Sequence, residues 1–156
     1  MNLRALENRV YGGVKDAHAA DVTQRDPRPW SLASLSGHKY CLLTSFRKSG
    51  AGVSTPVWFG IDGDRVYVRS GGQDGKVKRI RRDSRVLVTP CTARGRPLGD
   101  PMEGTARLLG ESESKTGERA LQARYGLGRR VYRLLRRRLD VAYIEVSAAP
   151  GSSADE

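Results

Sequence analysis

The sequence predicts a mainly β protein: an antiparallel barrel or sandwich of about six strands, with a short basic helix and a C-terminal helical region. Three observations point there. Six runs of four to nine residues, rich in β-branched, aliphatic and aromatic types, follow one another between turn residues from Tyr40 to Val146. Asp62-Gly63-Asp64 is a hairpin signal, because Asp-Gly tolerates the positive φ that tight turns demand. Beyond that hairpin, the apolar period lengthens to that of a helix between Lys76 and Arg82 and again between Glu113 and Leu139.

Residues 1–29 are polar and mixed and read as an N-terminal arm, whose weak helical period through Leu3, Leu6 and Val10 is stopped by Pro27 and Pro29. The main domain is expected over 30–148. It begins with a short helix suggested by Leu32 and Leu35, followed by a turn at Ser36-Gly37. The strands are expected at 40–46, 53–61, 65–70, 86–89, 102–109 and 141–146. Ser49-Gly50-Ala51-Gly52 joins the first two and the Asp-Gly turn joins the next, so strands one to three form a meander. The basic helix over 76–82 places Val77 and Ile80 on one face. The helical region over 113–139, interrupted at Gly126 and Gly128, turns Ala120, Leu121, Val131, Leu134 and Leu135 inward. Residues 149–156 have too little apolar surface to bury and read as a flexible tail.

A chain of 156 residues with 38% apolar composition can bury one ordinary core without disulfides or metals. Cys41 and Cys91 lie in or beside apolar strand-like segments without C-x-x-C spacing and read as buried thiols. No stretch approaches the roughly 18 apolar residues of a membrane span, and charges stand near the N-terminus where a signal peptide would be apolar. A cytoplasmic location is the expectation. His18 and His38 are the only histidines and are not at ligand spacing, so no metal site is expected. No nucleophile elbow and no Walker lysine motif occurs.

Lys and Arg number 28 against 17 Asp and Glu, and the resulting net charge of +11 implies an anionic partner. The cations gather between Lys76 and Arg85 and between Arg129 and Arg138. The second group alternates with Val131, Leu134 and Leu135 and reads as the solvated face of an amphipathic helix. The first follows Ser70-Gly71-Gly72-Gln73-Asp74-Gly75, where a strand ends, turns through glycines and opens a helix. Unpaired backbone N–H groups, the helix dipole and Lys76 then aim at one place, which suits a phosphate. An ordinary surface turn is the bland alternative. Pro56 interrupts what otherwise reads as a central strand and so belongs at an edge or bulge. Such a break exposes the hydroxyls of Ser54 and Thr55 to a ligand, unless the segment is a plain edge strand. Arg47 and Lys48 form a basic hairpin tip, which is equally explained as a solvated turn.

The segments 40–50, 53–59, 75–86, 94–97 and 103–106 together resemble the pyridoxamine-5'-phosphate-oxidase-like family, in its F-420-dependent oxidoreductase branch. The likeness spans roughly residues 33–146, and its most specific parts are Ser54-Thr55-Pro56-Val57-Trp58 and the helix beginning at Lys76. Ser84 departs from the proline that similar sequences often carry. The resemblance implies an antiparallel split β-barrel and a homodimer, with a flavin or deazaflavin in a groove at the dimer interface. It implies that Ser54, Thr55, Pro56, Val57 and Trp58 line the ring system, that Ser70, Lys76 and Arg79 hold the phosphate, and that Lys48 and Lys78 meet an acidic tail. Arg94 and Arg96 would reach across from the second subunit. The activity implied is hydride transfer between the reduced deazaflavin coenzyme F-420 and an organic acceptor. No side chain stands out as a general acid, since such a cofactor carries the chemistry. FMN on the same fold is the alternative cofactor. A nucleic-acid-binding module is the rival from another class, and it lacks the interleaved aromatics of a base-stacking platform in the first cationic cluster.

Overall fold

The computed structural model describes residues 16–125 and 141–150. Six antiparallel strands close into a barrel: β1 (Tyr40–Phe46), β2 (Gly52–Asp62), β3 (Arg65–Gly71), β4 (Arg85–Cys91), β5 (Met102–Leu108) and β6 (Val141–Ala148). Their spatial order is β1-β2-β3-β6-β5-β4, and β4 pairs back onto β1. Helix α1 (Gly75–Arg82) joins β3 to β4, and α2 (Ser114–Tyr125) lies between β5 and β6 in sequence. The expected meander is present, with Gly63 at φ +62° in the Asp-Gly turn.

Alternation along the strands divides their side chains between two faces. Leu43, Val57, Phe59, Val66, Val68, Val88, Ile144 and their neighbours fill the interior as one cluster, joined by Ile80 from α1. Burying a side chain such as Phe59 contributes about 1.5–3 kcal/mol. Helix α1 therefore plugs one end of the barrel against β1 and β5. Helix α2 crosses β2 at Gly60, where a Cβ would fall 2.4 Å from the Ala120 carbonyl carbon. Ala120 and Leu121 are buried there, as their spacing predicts.

Two segments differ from the sequence reading for physical reasons. The strand expected over 86–89 runs on to Cys91 as β4, through Pro90, because beyond Val88 β1 is the one strand paired with it and the other edge needs no N–H from Pro90. The described part of the N-terminal arm is docked. Ala17–Gln24 forms a 3-10 helix whose Ala19 and Val22 are fully buried against Leu42 and Cys91 on the outside of the barrel. The Asp16 N–H donates to the Arg94 carbonyl at 2.7 Å, and the Arg28 N–H donates to the Pro101 carbonyl at 2.7 Å. So few apolar side chains anchor this segment that its composition reads as unattached. Both cysteines are buried thiols, and burial pushes Cys91 up to about 12. Val131, Leu134, Leu135, the first 15 residues and the tail from 151 lie outside the described residues. No described helix is long and apolar enough to cross a membrane.

Candidate functional site

Strand β2 is paired with β1 from Gly52 to Trp58, but with β3 only from Phe59 to Asp62. The barrel ladder is therefore open beside the first half of β2, and Pro56 sits in that half, where one edge has no partner strand to miss its N–H. Beyond the opening, β3 ends at Ser70 and Gly71 and leads into the turn before α1.

That turn holds an anion belonging to the chain itself. Ser70 Oγ donates to Asp74 Oδ2 at 3.1 Å, the Gly71 N–H donates to the same oxygen at 3.2 Å, and Lys76 Nζ lies 3.1 Å from it. Burial pushes the Asp74 carboxyl up, but the charge of Lys76 and the hydrogen bonds from Lys76, Ser70 and Gly71 outweigh it and hold the group below the usual carboxylate range. The Asp74 carbonyl accepts from the N–H groups of Val77 and Lys78 and starts the helix. The predicted phosphate donors Ser70 and Lys76 are thus brought together, with an internal carboxylate between them. Asp74 escaped the sequence reading, although its place at the start of the helix, where Asp is favoured, was a usable signal.

Arg79 points elsewhere. Its Nε donates to the buried Ser45 Oγ at 2.7 Å, and Gly75 leaves room for its Nη1, which a Cβ would approach to 2.7 Å. Arg82 donates to the Phe46 carbonyl. Burial lowers the pKa of Arg79 from its ordinary value, and the charges of Arg47 and Arg82 lower it further. Three guanidinium groups thus gather at the end of β1. Lys48 and Lys78 are exposed nearby in sequence. Among the described residues, no carboxylate forms an ion pair with Arg47, Lys48, Lys78, Arg79 or Arg82. Arg85 differs, since its Nε pairs with Glu103 at 2.8 Å and its guanidinium lies 4.6 Å from the centre of the Phe46 ring.

The β2 motif is divided between faces. Register places Ser54, Pro56 and Trp58 on the side of Thr44, Leu42 and Tyr40, and Thr55 and Val57 on the side of Leu43 and Cys41. Val57 belongs to the interior cluster. The expectation of an exposed Ser54 hydroxyl is corrected: Ser54 is buried and its Oγ shares a 2.8 Å hydrogen bond with Thr44 Oγ1. The docked 3-10 helix lies along the same face of β2, where Thr23 Cγ2 is 2.5 Å from where a Cβ on Gly52, two residues before Ser54, would be. Trp58 is 47% exposed, and its ring is tilted against Tyr40 with centroids 6.4 Å apart. Arg94 and Arg96 are exposed on the loop after β4, around Gly95 at φ +91°. Among the described residues no group of three or more His, Cys, Asp or Glu is placed to hold a metal ion.

A closed antiparallel barrel, parted between its second and third strands and plugged by a basic helix beside an anion-holding turn, defines a split β-barrel. The model of the pyridoxamine 5'-phosphate oxidase family matches residues 31–149, and the chain belongs to that family. Members of this family are in general oxidoreductases. No curated protein matches the chain. Among solved structures, a haem storage protein from Vibrio cholerae is similar with a TM-score of 0.60 at 10% identity, over 76% of this chain and 87% of that one. General stress protein 26 from Bacillus anthracis gives 0.53 at 19% identity, over 84% and 89%. An FAD-binding protein from Mesorhizobium loti gives 0.53 at 13% identity, over 75% and 86%. At these identities the likeness is one of fold.

Proposed function

We propose that this chain is an oxidoreductase that binds the deazaflavin coenzyme F-420 and transfers a hydride between the reduced coenzyme and an organic acceptor. The observation that carries this reading is the cationic face running from the glycine-rich turn to the end of β1. It combines donors already gathered around one anionic oxygen with five cations that have no carboxylate partner among the described residues. A phosphate suits the first part. The unpaired cations suit a ligand with further negative charges, which F-420 carries on its oligoglutamate tail and FMN lacks.

Ser70, Gly71 and Lys76 would hold the phosphate, while Lys48, Lys78 and Arg79 would meet the tail. On the outer side of β2 the exposed Trp58 offers an apolar wall for a ring system, whereas Pro56 is buried beneath Gly95 on the face where Ala19 docks, and Thr55 faces the other side of the strand. When bound, the deazaflavin supplies the hydride chemistry. The chain's own residues bind it, orient it and keep water from one of its faces. Trp58 and Leu98 are the exposed large apolar side chains among the described residues, at 47% and 52%. Covering Trp58 with a second copy would complete the groove, and the homodimer is part of the proposal.

The test is a titration of the purified apo protein with F-420 and with FMN separately, followed by fluorescence. Tighter binding of F-420 supports the reading. Tighter binding of FMN moves the chain to the alternative cofactor, and binding of neither overturns the cofactor assignment. Light scattering with cofactor present should give twice the monomer mass, and a monomer at micromolar concentration would remove the interface from the account.

A further inference from the structure

We propose that Asp74 is the specificity-determining residue of this phosphate site, selecting a phosphate diester over a phosphate monoester through the charge that its own carboxylate keeps there. The inference rests on the reading given above and goes further, to which class of phosphate the site accepts.

Ser70 Oγ, the Gly71 N–H and Lys76 Nζ all meet a single oxygen, Asp74 Oδ2, at 3.1 to 3.2 Å. Such an arrangement is what an anionic phosphate oxygen requires of its donors. The donors are held in place. Ser70 is buried and the Lys76 side chain is only 12% exposed, so neither turns freely towards other partners. The Asp74 side chain is more exposed, at 29%, and rotates about one bond from its Cα. Its backbone is fixed, because its carbonyl accepts from Val77 and Lys78 at the start of α1. An arriving phosphate oxygen therefore takes the place of Oδ2, and the displaced carboxylate stays within a few ångströms of it.

From there the carboxylate repels the ligand in proportion to the ligand's charge, and partial burial weakens the screening that an open surface would provide. A phosphate monoester carries about −1.5 to −2 at neutral pH, whereas a diester carries a single charge. The monoester thus meets nearly twice the repulsion. F-420 joins its phosphate to lactate as a diester, while FMN ends in a monoester. Gly71 belongs to the same device: a Cβ there would lie 2.8 Å from Asp74 Oδ1, so the glycine makes room for the chain's own carboxylate. The usual consequence of removing a residue from a binding site is weaker binding. Here neutralising Asp74 should strengthen it, and unequally for the two ligand classes.

The variant is Asp74→Asn, which keeps a side-chain oxygen as acceptor and loses the charge. Asp74→Ser is the second neutral variant in case the amide disturbs the turn, and thermal melting reports that each is folded. F-420 and FMN are titrated into the wild type and both variants at one ionic strength. The ratio of the two dissociation constants is the readout, because contacts to the rings are the same in variant and wild type. The ratio should move towards FMN by about tenfold or more. A ratio unchanged in both folded variants, or moved towards F-420, overturns the role given to Asp74. If the wild type binds neither cofactor, the reading of the site fails separately. Asp74 is then judged by protection against thermal unfolding with inorganic phosphate and with dimethyl phosphate. Neutralisation should increase protection by inorganic phosphate more than by dimethyl phosphate, and equal or absent gains overturn the proposal.

Discussion

Replacing Lys76 by alanine should separate binding from stability. In the folded chain Lys76 Nζ lies 3.1 Å from Asp74 Oδ2, with the two side chains 12% and 29% exposed. For the ligand, the loss is one charge-assisted contact to phosphate, about 1.5–3 kcal/mol, or a roughly 10- to 150-fold higher dissociation constant. The upper end is expected, because Asp74 is left in the turn without its cation. For the fold the loss is smaller. Asp74 keeps its hydrogen bonds from Ser70 and Gly71, and a partly exposed ion pair contributes at most about 1 kcal/mol. In a domain of this size that lowers the Tm by roughly 2–4 °C. Fluorescence titration with F-420 and calorimetric melting of the same preparation measure the two effects. An unchanged affinity refutes the turn as the phosphate site. A Tm lowered by much more than 4 °C would instead give Lys76 a structural role.

Gly60→Ala should destabilise the chain by about 1–3 kcal/mol, because the new methyl group meets backbone atoms of Ala120 and Leu121 at 2.4 to 2.6 Å and pushes α2 off β2; denaturant unfolding checks it. Glu145 is buried and accepts from Arg65 at 2.8 Å, Tyr67 at 3.1 Å and Arg107 at 2.9 Å. Burial raises its pKa, but those partners outweigh burial and lower it. Its contribution to stability is therefore complete above the unfolded value of about 4.3 and is lost as pH falls through the lower folded value. Glu145→Gln should flatten the fall in Tm over that acid range. Cys91, with its thiol pushed up to about 12, should resist a thiol-specific disulfide reagent at pH 8 in the native chain and react on unfolding.

The barrel was legible because its signals are local. The β-rich runs at 40–46 and 65–70, the Asp-Gly turn and the period of Val77 and Ile80 each depend on neighbours a few residues away, and each appears in the fold. Pro56 was also readable, since a missing N–H restricts a residue to an unpaired ladder edge wherever it occurs. What was hidden depends on contacts distant in sequence. The burial of Ala19 and Val22 needs Leu42 and Cys91, and only the closed barrel brings those two together. Ser54 is likewise out of solvent, paired with Thr44 ten residues away on β1. In the site, the glycines and Lys76 announced an anion hole, but Asp74 entered the sequence reading only as a member of the turn. The family resemblance grouped Arg79 with Lys76 at the phosphate, while its partner Ser45 lies 34 residues away across the barrel end.

The central claim, that the cations beyond the turn, which have no carboxylate partner among the described residues, serve the acidic tail of F-420, is tested most directly by tail length and salt together. F-420 preparations with different numbers of glutamates would be titrated into the apo protein at about 0.1 M and 1 M ionic strength, where the Debye length falls from about 10 Å to about 3 Å. The account predicts affinity rising with each glutamate at low salt, that rise flattening at high salt, and FMN showing the weaker salt dependence. Affinity independent of tail length, with equal salt slopes for FMN and F-420, would contradict it.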